Sequence, residues 1–223
     1  IFAGILIGLL TLKPQLGLLL PVMLISAGQW RAFGAAAIIA AALAALTTLL
    51  FGPQAWSDWL HIGLPAQNVV LSDTHILAAR LMPTIFMNLR LAGAPYGVAM
   101  ALQLCVSLLA AAAVGWAFHT RRDADPLVLL ALFLACAVAA TPYLMSYDTL
   151  PLACAALLLL ARAPLDVLGR RLVQAIFWLP FIQLALGTWH IPGGGLIAPA
   201  FALYLVQHLA RAEKPLLSGH ATA

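Results

Sequence analysis

Apolar runs that approach membrane-spanning length recur along the whole chain, and charged residues fall almost entirely in the gaps between them. A bilayer core holds no water to satisfy exposed backbone, so runs of this kind must close their hydrogen bonds internally, as helices. Composition removes the soluble alternative. Apolar and aromatic residues make up 64% of the chain, Asp, Glu, Lys and Arg only 8%, and mean hydropathy is +1.03. A soluble domain carries about 25% charged residues to cover its surface. The expectation is therefore an all-α, polytopic transmembrane helical bundle. At about 20 residues per span the chain holds at most about eight spans, and its runs predict seven or eight membrane segments in a single integral membrane domain over residues 1–223. Ile1 already lies inside an apolar run with no charged segment before it, and the expectation is that this run is not a signal peptide. The expectation is a chain truncated at its N-terminus. A soluble enzyme or a nucleic-acid binder does not fit this composition.

The breaks between runs carry the topology. The first run, Ile1 to Gly28, is interrupted at Lys13-Pro14-Gln15; the second, Phe33 to Phe51, is rich in alanine and ends at Gly52-Pro53. Further runs cover Pro95 to Phe118, Pro126 to Thr141, Thr149 to Ala161, Val173 to Trp189 and Leu196 to Leu209. Alternating these spans puts Arg31, Arg121, Arg122, Arg162, Arg170, Arg171, Arg211 and Lys214 on one side, which accounts for most of the 11 Lys and Arg. By the positive-inside rule that side is cytoplasmic. The other side receives the stretch 52–94 as an extracytoplasmic loop with interfacial or re-entrant helices, together with the turns 141–148 and 190–195. Trp56, Trp59, Trp189 and Tyr143 fall near that boundary, as an aromatic belt does. The blocks 15–28 and 149–161 are short, roughly 20 Å as helix against a hydrocarbon core of ~30 Å. Helices that short border a thinned region or a protein-lined cavity. Gly4 and Gly8 form a GxxxG pair suited to close helix packing.

A charge at membrane depth is costly and marks a candidate site. Lys13 is the clearest case. It stands in LTLKPQLG, where Pro14 removes a backbone donor and breaks the helix. Its ammonium either enters a polar pocket beside the Gln15 amide or snorkels to the headgroups at a simple helix–turn–helix. Arg80 and Arg90 are the other outer cations and flank LMPTIFMNL, broken by Pro83. This reads as a lateral or re-entrant segment, its cations held by an anionic headgroup or by ordinary phospholipid contact. Asp58, His61, Asp73 and His75 lie in the outer loop and could offer acid/base groups, but no spacing among them is diagnostic and a solvated loop is the favoured reading. Asp148 stands in ATPYLMSYDTLPL between apolar helices, with Tyr143 and Tyr147 beside it. Its two readings are a site residue and a cap for the helix starting at Thr149. Cys105, Cys136 and Cys154 are scattered in apolar runs and read as packing thiols, not as a metal site. Gly193, Gly194 and Gly195 follow Pro192 as a turn.

These segments carry a resemblance. In order, LTLKPQLGLLLPVMLISAGQWRAF, FGPQAWSDWL, LMPTIFMNLRLAG and TPYLMSYDTLPLA resemble the C-terminal half of glycosyltransferase family 87, polytopic enzymes of the GT-C class. The resemblance implies transfer of a sugar, usually mannose, from a polyprenyl-phosphate donor to a glycolipid or glycan acceptor on the extracytoplasmic face of the inner (plasma) membrane. It implies no cofactor and no metal. In GT-C enzymes the catalytic Asp usually lies in the first outer loop, so the base is expected upstream of Ile1. Lys13, Arg80 and Arg90 are then candidates for stabilising the lipid-phosphate leaving group. Gln15, His75, Tyr143, Tyr147 and Asp148 are the remaining substrate-binding candidates. A secondary transporter, with its broken helices and midplane charges, and a non-catalytic assembly subunit are the alternatives.

Overall fold

A computed structural model describes residues 1–10, 13 and 15–211. Pro14, Glu213 and Lys214 lie outside the described residues, and with them the expected helix break at Pro14 itself. Among the described residues every regular element is a helix. The apolar composition makes those helices, and the prolines and polar motifs set where they stop.

Among the described residues two helices are long and apolar enough to cross a membrane: α3, which follows α1 (Phe2–Leu9) and α2 (Leu20–Ser26) and covers Trp30–Phe51, and the later helix Tyr96–Thr120. Between them lie α4 (Gln54–Asp58), α5 (Leu64–Ser72), α6 (Leu77–Arg80) and α7 (Ile85–Leu91), so Tyr96–Thr120 is α8. Then come α9 (Pro126–Ala139), α10 (Leu150–Arg162), α11 (Val167–Phe177), α12 (Leu179–Thr188) and α13 (Ile197–Arg211). The pair α11 and α12 would make a third span, but it is bent by 73°. This corrects two expectations. Among the described residues two or three spans, not seven or eight, meet the length test, and Val173 to Trp189 is two helices, not one. The physical reason is visible in the sequence. Pro180 sits in the first turn of α12 and cannot donate back into α11, so the ladder breaks at Trp178. Elsewhere the apolar runs are divided by Lys13, Thr141-Pro142 and the Ser146–Thr149 turn, and each piece is too short for a ~30 Å core.

The helix α9 is the centre of the bundle. Ten of its 14 residues are buried, among them Leu132, Phe133 and Cys136, and it packs against α8, α10 and α13. The pair α1 and α3 packs separately through Gly4 and Gly8. A Cβ at Gly4 would run into the Ala32 carbonyl, and one at Gly8 would lie 2.6 Å from Ile39 Cβ. Glycine at both places lets the two backbones approach, the role expected of a GxxxG pair. The outer face of α3 is apolar and exposed, as a lipid-facing surface is.

The stretch 52–94 divides into two parts. Gln54–Ser72 is helical throughout, with a π-helical turn at Trp59–Gly63, and its Trp56 and Trp59 are exposed. Thr84 opens α7 by accepting from the Met87 N–H, and Leu81–Thr84 separate α6 from α7 without helix. The α6–α7 segment is deeply buried: Ala79, Met82, Phe86, Met87 and Leu91 form a second apolar cluster.

Candidate functional site

The two polar interruptions that the sequence singles out meet in space. Lys13 Nζ lies 2.6 Å from Asp148 Oδ1, although 135 residues separate them. The Asp148 side chain is 5% exposed and the Lys13 side chain 54% exposed. A buried carboxylate needs a partner, and here the partner reaches in from an open edge. The Tyr147 ring lies under the ammonium, 5.4 Å from its nitrogen, and is itself exposed. Lysine has three N–H donors and Asp148 takes one. The remaining donors and the Tyr147 hydroxyl face an accessible space.

Local structure explains the arrangement. After α1 the chain descends in short turns: Lys13 N–H donates to the Leu10 carbonyl, and Leu16 N–H to the Lys13 carbonyl. The Thr141 hydroxyl, just past α9, donates to the Gln15 carbonyl at 3.0 Å. So Gln15 joins the site through its backbone, and the linker between α1 and α2 is tied to the end of α9 by Thr141 and to the turn before α10 by Asp148. Asp148 sits in a tight turn, Ser146–Thr149, where its N–H donates to Met145 O and the Thr149 hydroxyl to Ser146 O. The helix α10 begins one residue later with no side-chain cap, so the capping reading of Asp148 is replaced by the Lys13 pair.

The remaining candidates separate. The Ser146 hydroxyl donates to the Leu81 carbonyl at 2.6 Å, which fastens the segment beside Arg80 to the Asp148 turn. Arg80 Nε is buried with no hydrogen-bond partner. Arg90 spends two donors on backbone, on Ala94 O at 2.9 Å and Ser72 O at 3.1 Å, and stacks on the Tyr96 ring. It ties the end of α5 to the α7–α8 turn. Tyr143 packs against the α6–α7 cluster. His75 is exposed; its backbone N–H donates to the Asp73 carboxylate. Among the described residues no hydrogen bond or ion pair joins Arg90, Tyr143 or His75 to Lys13 or Asp148. Asp58 accepts from Gln54, and His61 pairs with Ser57, each within one turn of exposed helix.

The sequence reading missed the polar residues that hold this end together. Gln103 and Gln183 are fully buried, and Thr84 and Asn88 nearly so. Gln103 accepts from the Phe86 N–H and donates to Ala139 O. Asn88 donates to Met82 O, Thr84 O and Gln183 Oε1, and Gln183 donates to Arg80 O. The amides thus satisfy the backbone that the α6–α7 break leaves open. Gly194 and Gly195 let their turn approach Gln183 and the Thr84 carbonyl, where a Cβ would collide. A signal existed: a lone Gln or Asn within an apolar helix marks an interhelical hydrogen bond.

The opposite end of the molecule is basic. Arg162 Nε pairs with Asp125 Oδ2 at 2.8 Å, Arg122 donates to Ser26 O at 3.0 Å, and Arg121 donates to Leu209 O. These contacts gather the ends of α2, α8, α10 and α13 around the start of α9. Asp125 precedes α9, and Thr141 follows it. A helix of 14 residues separates them by about 21 Å. Lys13–Asp148 and the arginines therefore occupy opposite ends of the bundle.

With this geometry in place, comparison with known proteins decides the family. The sequence model of glycosyltransferase family 87 matches residues 1–146. The chain belongs to that family. No curated protein and no solved structure matches it. Membership makes it a membrane glycosyltransferase, acting on a sugar donor and an acceptor in the setting of a lipid bilayer.

Proposed function

We propose that the protein transfers a sugar, in the first instance mannose, from a polyprenyl-phosphate donor to a glycolipid or glycan acceptor. The work is done outside the cytoplasm, at the inner membrane, by the end of the bundle that carries Lys13. In the reaction an acceptor hydroxyl oxygen attacks the anomeric carbon and the bond from that carbon to the phosphate oxygen breaks. The hydroxyl proton passes to a base, and the electron pair leaves on the lipid phosphate.

The observation that carries this reading is the half-exposed Lys13 ammonium fixed by a buried Asp148. A leaving phosphate gains negative charge as its bond to sugar breaks, and a preoriented cation stabilises that charge more than the ground state. Asp148 acts through Lys13 and is a positioning residue, not the base. Tyr147 offers an exposed hydroxyl to the sugar, and Arg80, next to the Leu81 carbonyl that Ser146 fastens, is the candidate for a second cation. An apolar cavity of about 310 Å³ lies between α1, α2 and α3; Leu10 and Gly17, which flank Lys13 in the sequence, line it together with Gly8, Leu20, Ala36 and Ala40. An apolar lining of this kind suits a prenyl chain. The orientation rests on the arginines at the far end, which the positive-inside rule assigns to the cytoplasm.

The test is transfer of radiolabelled mannose from polyprenyl-phosphate mannose into lipid or glycan by membranes that contain the protein. Label incorporated above membranes that lack it supports the reading. Uptake of free sugar into proteoliposomes with no transfer would favour a transporter. Neither activity, with intact expression, would favour an assembly subunit.

A further inference from the structure

We propose that the bend between α11 and α12 is a binding site for one anionic phospholipid of the leaflet that bathes the arginine end. The two helices meet at 73° and enclose an open cleft of about 540 Å³. Its lining is ordered along its length. Arg171 and Gln174 stand at the α11 end; Trp178 and Phe181 form the corner; Ile182 and Ala185 continue down α12. These positions follow each other at helical spacing, so one stripe runs from cation and amide to aromatic rings to aliphatic side chains. That is the order of polarity along a phospholipid, from phosphate to acyl chain.

Three observations fix the occupant. First, Arg171 is exposed and has no hydrogen-bond or ion-pair partner among the described residues, whereas Arg121, Arg122 and Arg162 each have one. Its guanidinium is free to take a phosphate in bidentate fashion. Second, Trp178 and Phe181 are more than half exposed, their ring centroids 5.7 Å apart and tilted at 58°, with Phe177 edge-on beside Trp178. An aromatic corner of this kind belongs at the headgroup level, where its ring is apolar and its edge is wet. Third, the two ends of the cleft lie at different depths. Asp166 at the start of α11 bonds Tyr204 of α13 near the arginine end, and Gly187 of α12 packs on the Arg80 carbonyl at the opposite end. The stripe therefore points from the charged surface into the bilayer, and the surrounding arginines make the potential there positive. A basic pocket between membrane helices selects anionic headgroups. A zwitterionic lipid would fill the apolar half equally but would bring no net charge to Arg171.

The experiment is native mass spectrometry of the detergent-solubilised protein offered an equimolar mixture of dioleoylphosphatidylglycerol and dioleoylphosphatidylcholine. The expected result is one retained phosphatidylglycerol in preference to phosphatidylcholine, a preference that Arg171→Gln lowers at least fivefold. Phe181→Ala and Trp178→Ala should lower retention of both lipids. Arg162→Gln removes the same charge from the same end and should leave the preference unchanged. An Arg171→Gln variant that still prefers phosphatidylglycerol would overturn the site. So would an equal loss in Arg162→Gln, which would trace the effect to diffuse surface charge, or unchanged retention in both aromatic variants.

Discussion

The two ends of this bundle use positive charge in opposite ways. At the arginine end, guanidinium groups meet backbone carbonyls at helix termini and the exposed carboxylate of Asp125. Each such contact lies in or near water, where an ion pair contributes about 0–1 kcal/mol. At the other end a single ammonium meets a carboxylate with 5% of its side chain exposed. There, among the described residues, the desolvation of Asp148 is offset by its bond to Lys13. Many weak and independent contacts tolerate loss, whereas one coupled pair does not. The arginine end fastens helix ends together, and the Lys13 end holds a charge in reserve for chemistry.

The sharpest way to break that contrast is Lys13→Ala. Transfer is expected to fall at least tenfold, which corresponds to ~1.4 kcal/mol of lost transition-state stabilisation. Stability should also fall, by about 1–3 kcal/mol, because Asp148 is left buried without its donor. The double variant Lys13→Met with Asp148→Leu separates the two effects. Replacing a buried pair by apolar side chains restores stability while the activity stays lost. Recovery of both in the double variant, measured by thermal unfolding in detergent and by the mannose-transfer assay, would show that the pair is purely structural.

Asp148→Asn comes next. Asparagine still accepts from Lys13 but no longer fixes it by charge, so turnover should drop several-fold while the unfolding midpoint barely moves. A large fall in extractable protein with normal turnover per molecule would instead assign Asp148 to folding.

How much of this was legible follows from which physics each feature obeys. Lys13 and Asp148 stood out because an ionised group in an apolar run is costly wherever it lies, so composition alone flags it. Their pairing was not legible, since a contact across 135 residues depends on how α9 returns the chain. Helix ends were legible at Gly52-Pro53 and at the Arg121–Asp125 loop, where breakers and charge coincide. The count of spans was not. Apolar runs predict where helices can form, while Pro180 and the Thr141–Asp148 segment decide whether they continue. Arg90 stood out by its position against the charge rule, and what the sequence could not show is that the local fold uses two of its donors on carbonyls. The buried amides went unnoticed because an uncharged side chain barely changes the hydropathy of a run.

Those amides give the next prediction. Asn88→Ala removes the donor to Met82 O, Thr84 O and Gln183. It should cost about 1–3 kcal/mol, since buried acceptors are left unpaired. Transfer per folded molecule should fall less than in Asp148→Asn, because Ser146 still holds Leu81 against the site turn. Limited proteolysis should find the new weakness between Leu81 and Thr84. Cleavage confined to the termini would remove Asn88 from the support of this segment.

The smallest effects belong to the arginine end, and pH separates their causes. Asp125 is held below the ordinary carboxylate range chiefly by the Leu127 N–H that donates to it, and only then by Arg162. Asp166 is lowered first by the Gly169 N–H and then by the Tyr204 hydroxyl. A carboxylate with a depressed folded-state pKa stabilises the fold above its unfolded value of about 3.9, and that contribution is lost as pH falls through the folded value. The unfolding midpoint should therefore be flat between neutral pH and about pH 5 as far as these two groups are concerned, and should decline below about pH 4. Arg162→Gln should shift it only slightly at pH 7, since the pair is exposed and screened by solvent. It should also leave the acid decline largely in place, because the stronger helix-start bond to Leu127 survives. Asp125→Asn combined with Asp166→Asn keeps both caps, as asparagine caps about as well as aspartate, but removes the titration. That variant should lose this part of the acid decline. An acid profile abolished by Arg162→Gln alone would show that the ion pair, not the helix cap, sets the charge of Asp125.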